Sequence, residues 1–357
     1  MVMLLQTAIA DYRNSFIAKL VEEIGTDFEI VVGERYFEPS TQTSQYVRSL
    51  PCTKTIANNF FFGDRICLQY IPFLKVIKAD VVVFELNPRL VMNWPILVLR
   101  KILGKKNVLW GHAWSRSGRK SKTESLRHAM RRLSNNLLFY TDKQLDEFRA
   151  VYPSYKGGLF VAPNSLYERA KIEAVNPIGK DIVYVGRLVS SKKVALLVEG
   201  FSLAIKTIPN DTLLHLVGDG PEMKAIQRLV HELSIEDRVI FHGHVSNWES
   251  LKNIYSRCVV SVSPGYVGLS ITQSFAFGRP MIVADNENHS PEIEALVPDM
   301  NGVYFKAGNK NSLAGVIESY FKDCEIWKDK FDDVASDCSK RYSVERMVEG
   351  FKDAIAK

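Results

Sequence analysis

Arg187 and Lys192 lie in one short stretch, Val185-Gly186-Arg187-Leu188-Val189-Ser190-Ser191-Lys192, directly after the apolar run Asp181–Val185. Two fixed cations on a strand-to-helix loop suit a diphosphate when no metal neutralises it. Solvated surface charge is the competing account. Gly268-Leu269-Ser270 opens a helical stretch, where free backbone N–H groups and the positive dipole end favour a phosphate that glycine lets come close. An ordinary N-cap by Ser270 fits the same residues. Ser290-Pro291-Glu292 reads as N-cap, N1 and N2 of another helix. In the first half, His112 directly follows the run Asn107–Trp110, Tyr12-Arg13 follows the run Val2–Ala8, and Glu85-Leu86-Asn87-Pro88-Arg89 ends the run Val81–Glu85. Trp110 and Trp114 flank the histidine, placed to stack on a sugar ring or simply to pack.

Other motifs fail. Gly218-Asp219-Gly220-Pro221 sits where a dinucleotide fingerprint would, but Met223 occupies the third glycine position and Arg238 stands near the expected ribose-binding acid. NAD binding is thereby disfavoured, and a tight turn starting a helix is the plainer reading. The sequence has no GxxxxGK[ST] phosphate loop, no HExxH, no GxSxG and no DxD pair. No cofactor and no metal are expected.

These residues need elements to hold them. Strand-like runs alternate with helical stretches throughout: Asp11–Ile24 predicts a helix closed by Gly25, and Val194–Ile205, Glu222–Leu233, Ser270–Phe277 and Pro291–Ala295 predict others. Leu137–Tyr140, Gly158–Val161, Leu213–Val217, Val239–Phe241, Val259–Ser263 and Met281–Val283 predict strands. Repeated strand–helix units imply parallel sheets covered on both faces. Two such series, joined near Pro163–Pro177, predict an α/β chain of two Rossmann-like domains facing a central cleft, residues 1–168 and 169–341. The apolar face of 342–357 predicts a last helix that packs back on the first domain.

The chain has 357 residues, 46% hydrophobic and 24% charged, which excludes a disordered or collagen-like class. No apolar run reaches the length of a membrane span, and the start lacks a signal peptide's basic region. Five scattered cysteines without a CxxC pair read as reduced thiols in a cytoplasmic protein. The net charge is +6, yet residues 100–143 hold twelve Lys/Arg against Glu124 and Asp142. Arg116, Arg119, Lys120, Lys122, Arg127, Arg131 and Arg132 in that segment suit an anionic membrane surface, or are a solvated face. No nucleic-acid motif accompanies them, so no nucleic acid is expected.

Four segments of the second half come in fixed order: Val185–Lys192; Val217-Gly218-Asp219-Gly220-Pro221; Val239-Ile240-Phe241-His242-Gly243-His244-Val245; and Ser263-Pro264-Gly265-Tyr266-Val267-Gly268-Leu269-Ser270, running on to Gly278-Arg279-Pro280. In this the chain resembles the family 4 (group 1) retaining glycosyltransferases of GT-B fold. The resemblance implies sugar transfer from a nucleotide diphosphate sugar to an acceptor hydroxyl, metal-independent, with front-face attack assisted by the leaving phosphate. It implies that Arg187 and Lys192 stabilise the leaving diphosphate and that His112 touches the donor sugar. Gly186, Gly243, Val245, Gly265, Gly268, Leu269, Ser270, Gln273 and Glu292 are then donor-binding, and Tyr12, Arg13, Asn87, Arg89 and Trp114 acceptor-side. A sugar or lipid-linked oligosaccharide is the implied acceptor, in polysaccharide or glycolipid assembly on the inner face of a membrane.

The chain departs from that pattern. Gly265 and Gln273 stand where the family carries two glutamates eight positions apart, and Lys193 replaces a glycine. Gln273 still offers a ribose a hydrogen bond. Gly265 is expected to leave room, with backbone N–H groups holding the sugar. A catalytically inactive binding subunit and a nucleotide-sugar epimerase are the rival expectations.

Overall fold

The computed structural model describes residues 1–115, 118–176 and 179–356; Arg116, Pro177 and Lys357 lie outside the described residues. The chain forms two units, Met1–Leu166 with Val344–Lys357, and Tyr167–Ser343.

In the first unit the strands are β1 (Val2–Gln6), β2 (Phe28–Gly33), β3 (Thr53–Ile56), β4 (Asn58–Phe61), β5 (Ile66–Gln69), β6 (Val81–Glu85), β7 (Lys106–Trp110), β8 (Asn136–Phe139) and β9 (Gly158–Val161). Seven of them form one parallel sheet in the order β3-β2-β1-β6-β7-β8-β9, with β4–β5 a separate antiparallel hairpin. Helices cover both faces, so inner strands such as β1 (VMLLQ) and β8 (NLLF) read as near-continuous apolar runs. The helix Asn14–Ile24 buries Phe16, Ile17 and Leu20. The helix Val344–Ala356 buries Met347, Val348, Phe351 and Ala354 in the same core. It approaches so closely that a Cβ on Gly350 would stand 1.8 Å from the Val161 carbonyl oxygen.

In the second unit β10 (Asp181–Val185), β11 (Leu214–Val217), β12 (Val239–Gly243), β13 (Cys258–Ser263), β14 (Met281–Ala284) and β15 (Gly302–Phe305) form a parallel sheet in the order β12-β11-β10-β13-β14-β15. The helices Val194–Ala204 and Lys310–Lys322 pack on it through Leu197, Val198, Phe201, Leu313 and Ile317.

Two expected elements differ in detail, and one further stretch holds elements the sequence left unassigned. The first helix starts as a 3-10 turn, Asp11–Arg13, in which Arg13 is buried, before the α-helix Asn14–Ile24. Pro291–Ala295 is a 3-10 helix. Residues 34–80, unassigned from sequence, hold β3 and the β4–β5 hairpin, whose half-exposed residues carry weak periodicity.

Candidate functional site

The strand order reverses between β1 and β6 in the first sheet and between β10 and β13 in the second. In open α/β sheets the carboxyl ends at such switch points are where ligands bind. The candidate residues gather at both.

In the second unit, Gly186-Arg187 leaves β10 and the loop ends in the 3-10 turn Ser190–Lys192. Lys192 is half-buried; its Nζ donates to the Tyr266 carbonyl at 2.7 Å and lies 4.9 Å from the Tyr266 ring centroid. Burial and then the Arg187 charge pull its pKa from 10.5 to about 8. Neither Arg187 nor Lys192 forms an ion pair with a carboxylate among the described residues. The site thus presents exposed Arg187 and a desolvated lysine with charge to spare.

The loop after β13 is tied to this turn. Tyr266 N–H donates to Ser191 O at 2.9 Å. A Cβ on Gly265 would stand 2.5 Å from Ser191 O and 2.9 Å from the Lys192 carbonyl carbon. This corrects the expectation of room at Gly265: backbone already fills that side, and glycine is there to allow the approach. The segment after β14 holds the same loop from the other side. His289 Nδ1 accepts from Val267 N–H at 3.1 Å, its Nε2–H donates to Ala284 O at 2.8 Å, and Ser290 N–H donates to Val267 O at 3.0 Å. Burial holds the His289 imidazole below its ordinary pKa, hence neutral. Lys193, left-handed at φ 52°, pairs with Glu287.

The result is an open donor edge. Among the described residues the N–H groups of Gly268, Leu269 and Ser270 meet no backbone acceptor, and the buried Ser290 Oγ near Gly268 has no partner. The helix that follows, Ser270–Ala276, presents Gln273, whose Nε2 donates to Tyr167 Oη at 3.0 Å. Glu292 is buried in the first turn of Pro291–Ala295. Gly243, at φ 66°, ends β12, and its carbonyl accepts from Gly218 N–H at 2.7 Å; Val245 follows half-buried. Gly218, at φ 140°, could carry no Cβ, which would stand 1.9 Å from Gly186 O, so that turn is structural.

In the first unit, His112 follows β7 and its ring lies 4.6 Å from that of Tyr140. Gln144 Oε1 accepts from Ala113 N–H at 3.0 Å, so its Nε2 faces His112 Nδ1 at 3.3 Å as donor. That fixes the tautomer with the proton on Nε2. Glu85, at the end of β6, accepts from Thr7 Oγ1 at 2.6 Å and from Asn87 Nδ2 at 2.9 Å, and Asn87 Oδ1 accepts from Arg89 Nε at 3.2 Å. Arg89 lies over the Phe37 ring at 3.6 Å. Arg13 is buried over Trp110, beside half-exposed Tyr12.

Two acceptor-side expectations change. Trp114 does not present a free face: it packs with Phe148 and Tyr152, bonds Glu147 through Nε1 at 2.9 Å, and lies under Arg119 and Arg131. The basic segment is also less available than its composition suggests. Arg100 is buried on main-chain carbonyls, Arg131 pairs with Glu124, and Arg127 donates to Leu86 O and His112 O. Among the described residues Lys101, Arg119, Lys120, Lys122, Arg132 and Lys143 are exposed, Arg119 in an ion pair with Glu147.

Sequence reasoning missed His289, Tyr140, Gln144, Asn164 and Tyr167, all of which act by holding other groups and carry no motif. Among the described residues no cluster of three His, Cys, Asp or Glu is arranged for a metal, and no helix is long and apolar enough to cross a membrane. A shallow depression of about 650 Å³ lined by Arg169, Glu173, Asp332 and Lys340 contains none of the candidate residues.

Residues 168–331 match the sequence model of the family described as Glycosyl transferases group 1. The chain is 25% identical over 225 residues to the poly(glycerol-phosphate) alpha-glucosyltransferase of Bacillus subtilis, covering 61% of this chain and 32% of that protein. It is 33% identical over 122 residues to the lipopolysaccharide core biosynthesis glycosyltransferase LpsD of Rhizobium meliloti, covering 33% of this chain and 34% of that one. The chain spans about a third of the length of these curated relatives. Among solved structures, Anabaena HepE in complex with UDP superposes with a TM-score of 0.72 at 14% identity over 100% of both chains. The lipopolysaccharide outer core galactosyltransferase WaaB superposes with 0.69 at 15% identity over 99% of both. The chain accordingly has the GT-B fold, and its second unit is similar in sequence to the group 1 glycosyl transferases.

Proposed function

We propose that the protein transfers a sugar, with retention, from a nucleotide diphosphate sugar to an acceptor hydroxyl during polysaccharide, lipopolysaccharide or teichoic-acid-type assembly. One observation carries this: a half-buried lysine and an exposed arginine, neither paired with a carboxylate, at the switch point of the second sheet. A diphosphate supplies the missing negative charge. The free N–H groups at Gly268–Ser270 and the orphaned Ser290 Oγ give its oxygens further partners. The UDP held by the HepE structure supports a uridine nucleotide as the first ligand to try.

In the reaction the bond between the anomeric carbon and the diphosphate oxygen breaks and a bond to the acceptor oxygen forms. The acceptor's proton passes to the leaving phosphate. Arg187 and Lys192 stabilise the charge gathering on the leaving diphosphate, an electrostatic contribution that is commonly the largest in catalysis. His112, held as the Nε2–H tautomer, donates to a hydroxyl of the donor sugar. Gln273 holds the ribose, and the Gly243–Val245 turn meets the base. No metal or cofactor takes part. The acceptor side uses Tyr12, Arg13, Asn87 and Arg89, and the acceptor is a saccharide or its lipid-linked form. Lys120, Lys122 and Arg132 bring the protein to an anionic membrane surface on the cytoplasmic side.

The test is a thermal-shift screen of nucleotide diphosphates and their sugars, followed by release of the nucleotide with candidate acceptors. A ligand that binds the native state raises the melting temperature by mass action. Stabilisation by none of them overturns the reading; stabilisation without release under any acceptor favours a binding subunit.

A further inference from the structure

Four arginines are buried among the described residues: Arg13, Arg100, Arg131 and Arg279. Arg100 and Arg279 are satisfied, and Arg131 has a counter-charge although its Nε is buried without a partner. Arg100 donates to main-chain carbonyls of Val76, Ala79 and Lys106 and to Asn107. Arg279 donates to the carbonyls of Cys258, Phe277 and Val175. Arg131 has Glu124 and the Ala113 carbonyl. Arg13, only 7% exposed, differs. Its Nη2 reaches Tyr140 Oη at 3.0 Å and Asn164 Oδ1 at 3.2 Å, both neutral. Its Nε is buried without an acceptor among the described residues, and Tyr12, also neutral, is its third side-chain neighbour. The guanidinium lies 4.5 Å from the Trp110 ring centroid and within 5.6 Å of those of Tyr12 and Tyr140.

A buried cation with no carboxylate beside it and a buried Nε–H without an acceptor is unfavourable in a resting protein. The planar fork of an arginine is matched by phosphate oxygens, and aromatic faces hold it in one plane while it waits. Tyr12, 40% exposed, leaves the aromatic rim partly open, and the His112 ring lies 4.6 Å from that of Tyr140. We infer that Arg13, with Tyr140 and Asn164 orienting it, is the binding site for an anionic group of the phosphate class. That group is carried by the acceptor and is separate from the diphosphate bound through Arg187 and Lys192. The inference deepens the proposed function and rests on it only in assigning the anion to the acceptor. The acceptor is then a phosphorylated saccharide or a polymer with phosphate in its backbone, in preference to a neutral sugar.

Inorganic phosphate is the probe. The full chain is first saturated with UDP, which occupies the donor cations, and phosphate is then titrated by calorimetry and by thermal shift. The expected result is a second, phosphate-dependent stabilisation that Arg13→Met weakens at least tenfold in affinity and that Lys192→Met leaves intact. The ligand-free Arg13→Met protein should melt at or above the wild-type temperature, since an uncompensated charge has been removed. A merely structural arginine would give the opposite shift. Arg13→Gln carries the same titration if the methionine variant does not fold. The inference is overturned if phosphate adds nothing once UDP is bound, because the anion it occupies is then the donor's. It is equally overturned if the phosphate response survives loss of the arginine. Failure of UDP itself to bind sinks the proposed donor instead, and phosphate titrated alone still decides Arg13.

Discussion

Lys192 turns an observation about burial into a pH dependence. Its folded pKa of about 8 lies below the ordinary 10.5. The ligand-free protein therefore binds fewer protons than the unfolded chain between those values, and its stability rises as pH climbs through that window. A bound diphosphate reverses the bias and restores the ammonium. Nucleotide binding should take up a proton just above pH 8 and weaken at higher pH; calorimetry in buffers of different ionisation heat measures both, and pH-independent binding removes Lys192 from the site. Lys192→Ala and Arg187→Ala should each weaken the nucleotide by about 1.5–3 kcal/mol, the loss of one charge-assisted contact. Gly265 makes a different prediction. Since a Cβ there meets the Ser191 and Lys192 backbone, even Gly265→Ala should destabilise by about 1–3 kcal/mol. Gly265→Glu should lower both stability and nucleotide affinity. A glutamate variant with raised activity would mean that the loop opens readily and that the glycine is a lost side chain.

The loops show which parts of the site could be read in advance. Charged residues beside glycines after an apolar run announce a strand end, so the position of Arg187, Lys192 and Gly268 in loops after strands is legible from type and spacing. His289 is not. It lies in a polar stretch without periodicity, and its role comes from two hydrogen bonds to main chain distant in sequence, which no local pattern encodes. The same holds for β3 and the β4–β5 hairpin, where half-exposed side chains blur the alternation that betrays a strand. The Gly265 expectation failed for a related reason. A glycine reads as absence of a side chain, while the close approach of another loop is a tertiary fact. His289 also yields a prediction. Its Nδ1 must be unprotonated to accept from Val267 N–H, and its folded pKa is depressed, so the unfolded chain takes up protons first on acidification. Stability should fall as pH drops through the ordinary histidine range near 6.5. His289→Ala should raise the KM for the donor several-fold while sparing kcat. His289→Gln, which can still accept and donate, should recover most of it. A change in kcat alone would mean that the loop is not what His289 holds.

For the molecule as a whole, the exposed remainder of the basic segment sets a modest expectation of membrane affinity. Each Lys or Arg near an anionic surface contributes about 1 kcal/mol, screened by salt. Lys120→Glu with Lys122→Glu should abolish sedimentation with anionic vesicles and leave nucleotide binding unchanged; binding indifferent to both changes would place the contact elsewhere. Phe351, which meets Phe16, Phe28 and Trp110 at centroid distances of 5.8, 6.4 and 5.8 Å, anchors the last helix. Phe351→Ala should cost about 3–5 kcal/mol in urea melts followed by tryptophan fluorescence. That anchoring has a consequence for biosynthesis. The first unit leaves off at Leu166 and is resumed at Val344, after the whole second unit has been made. A nascent chain on the ribosome would expose the apolar bed around Phe16, Leu20 and Val161 for the time needed to translate about 180 residues, at roughly 5–20 residues per second. The unit that emerges first is thus the last to be finished, and a chaperone acting on this protein would be expected to hold its beginning until its end arrives.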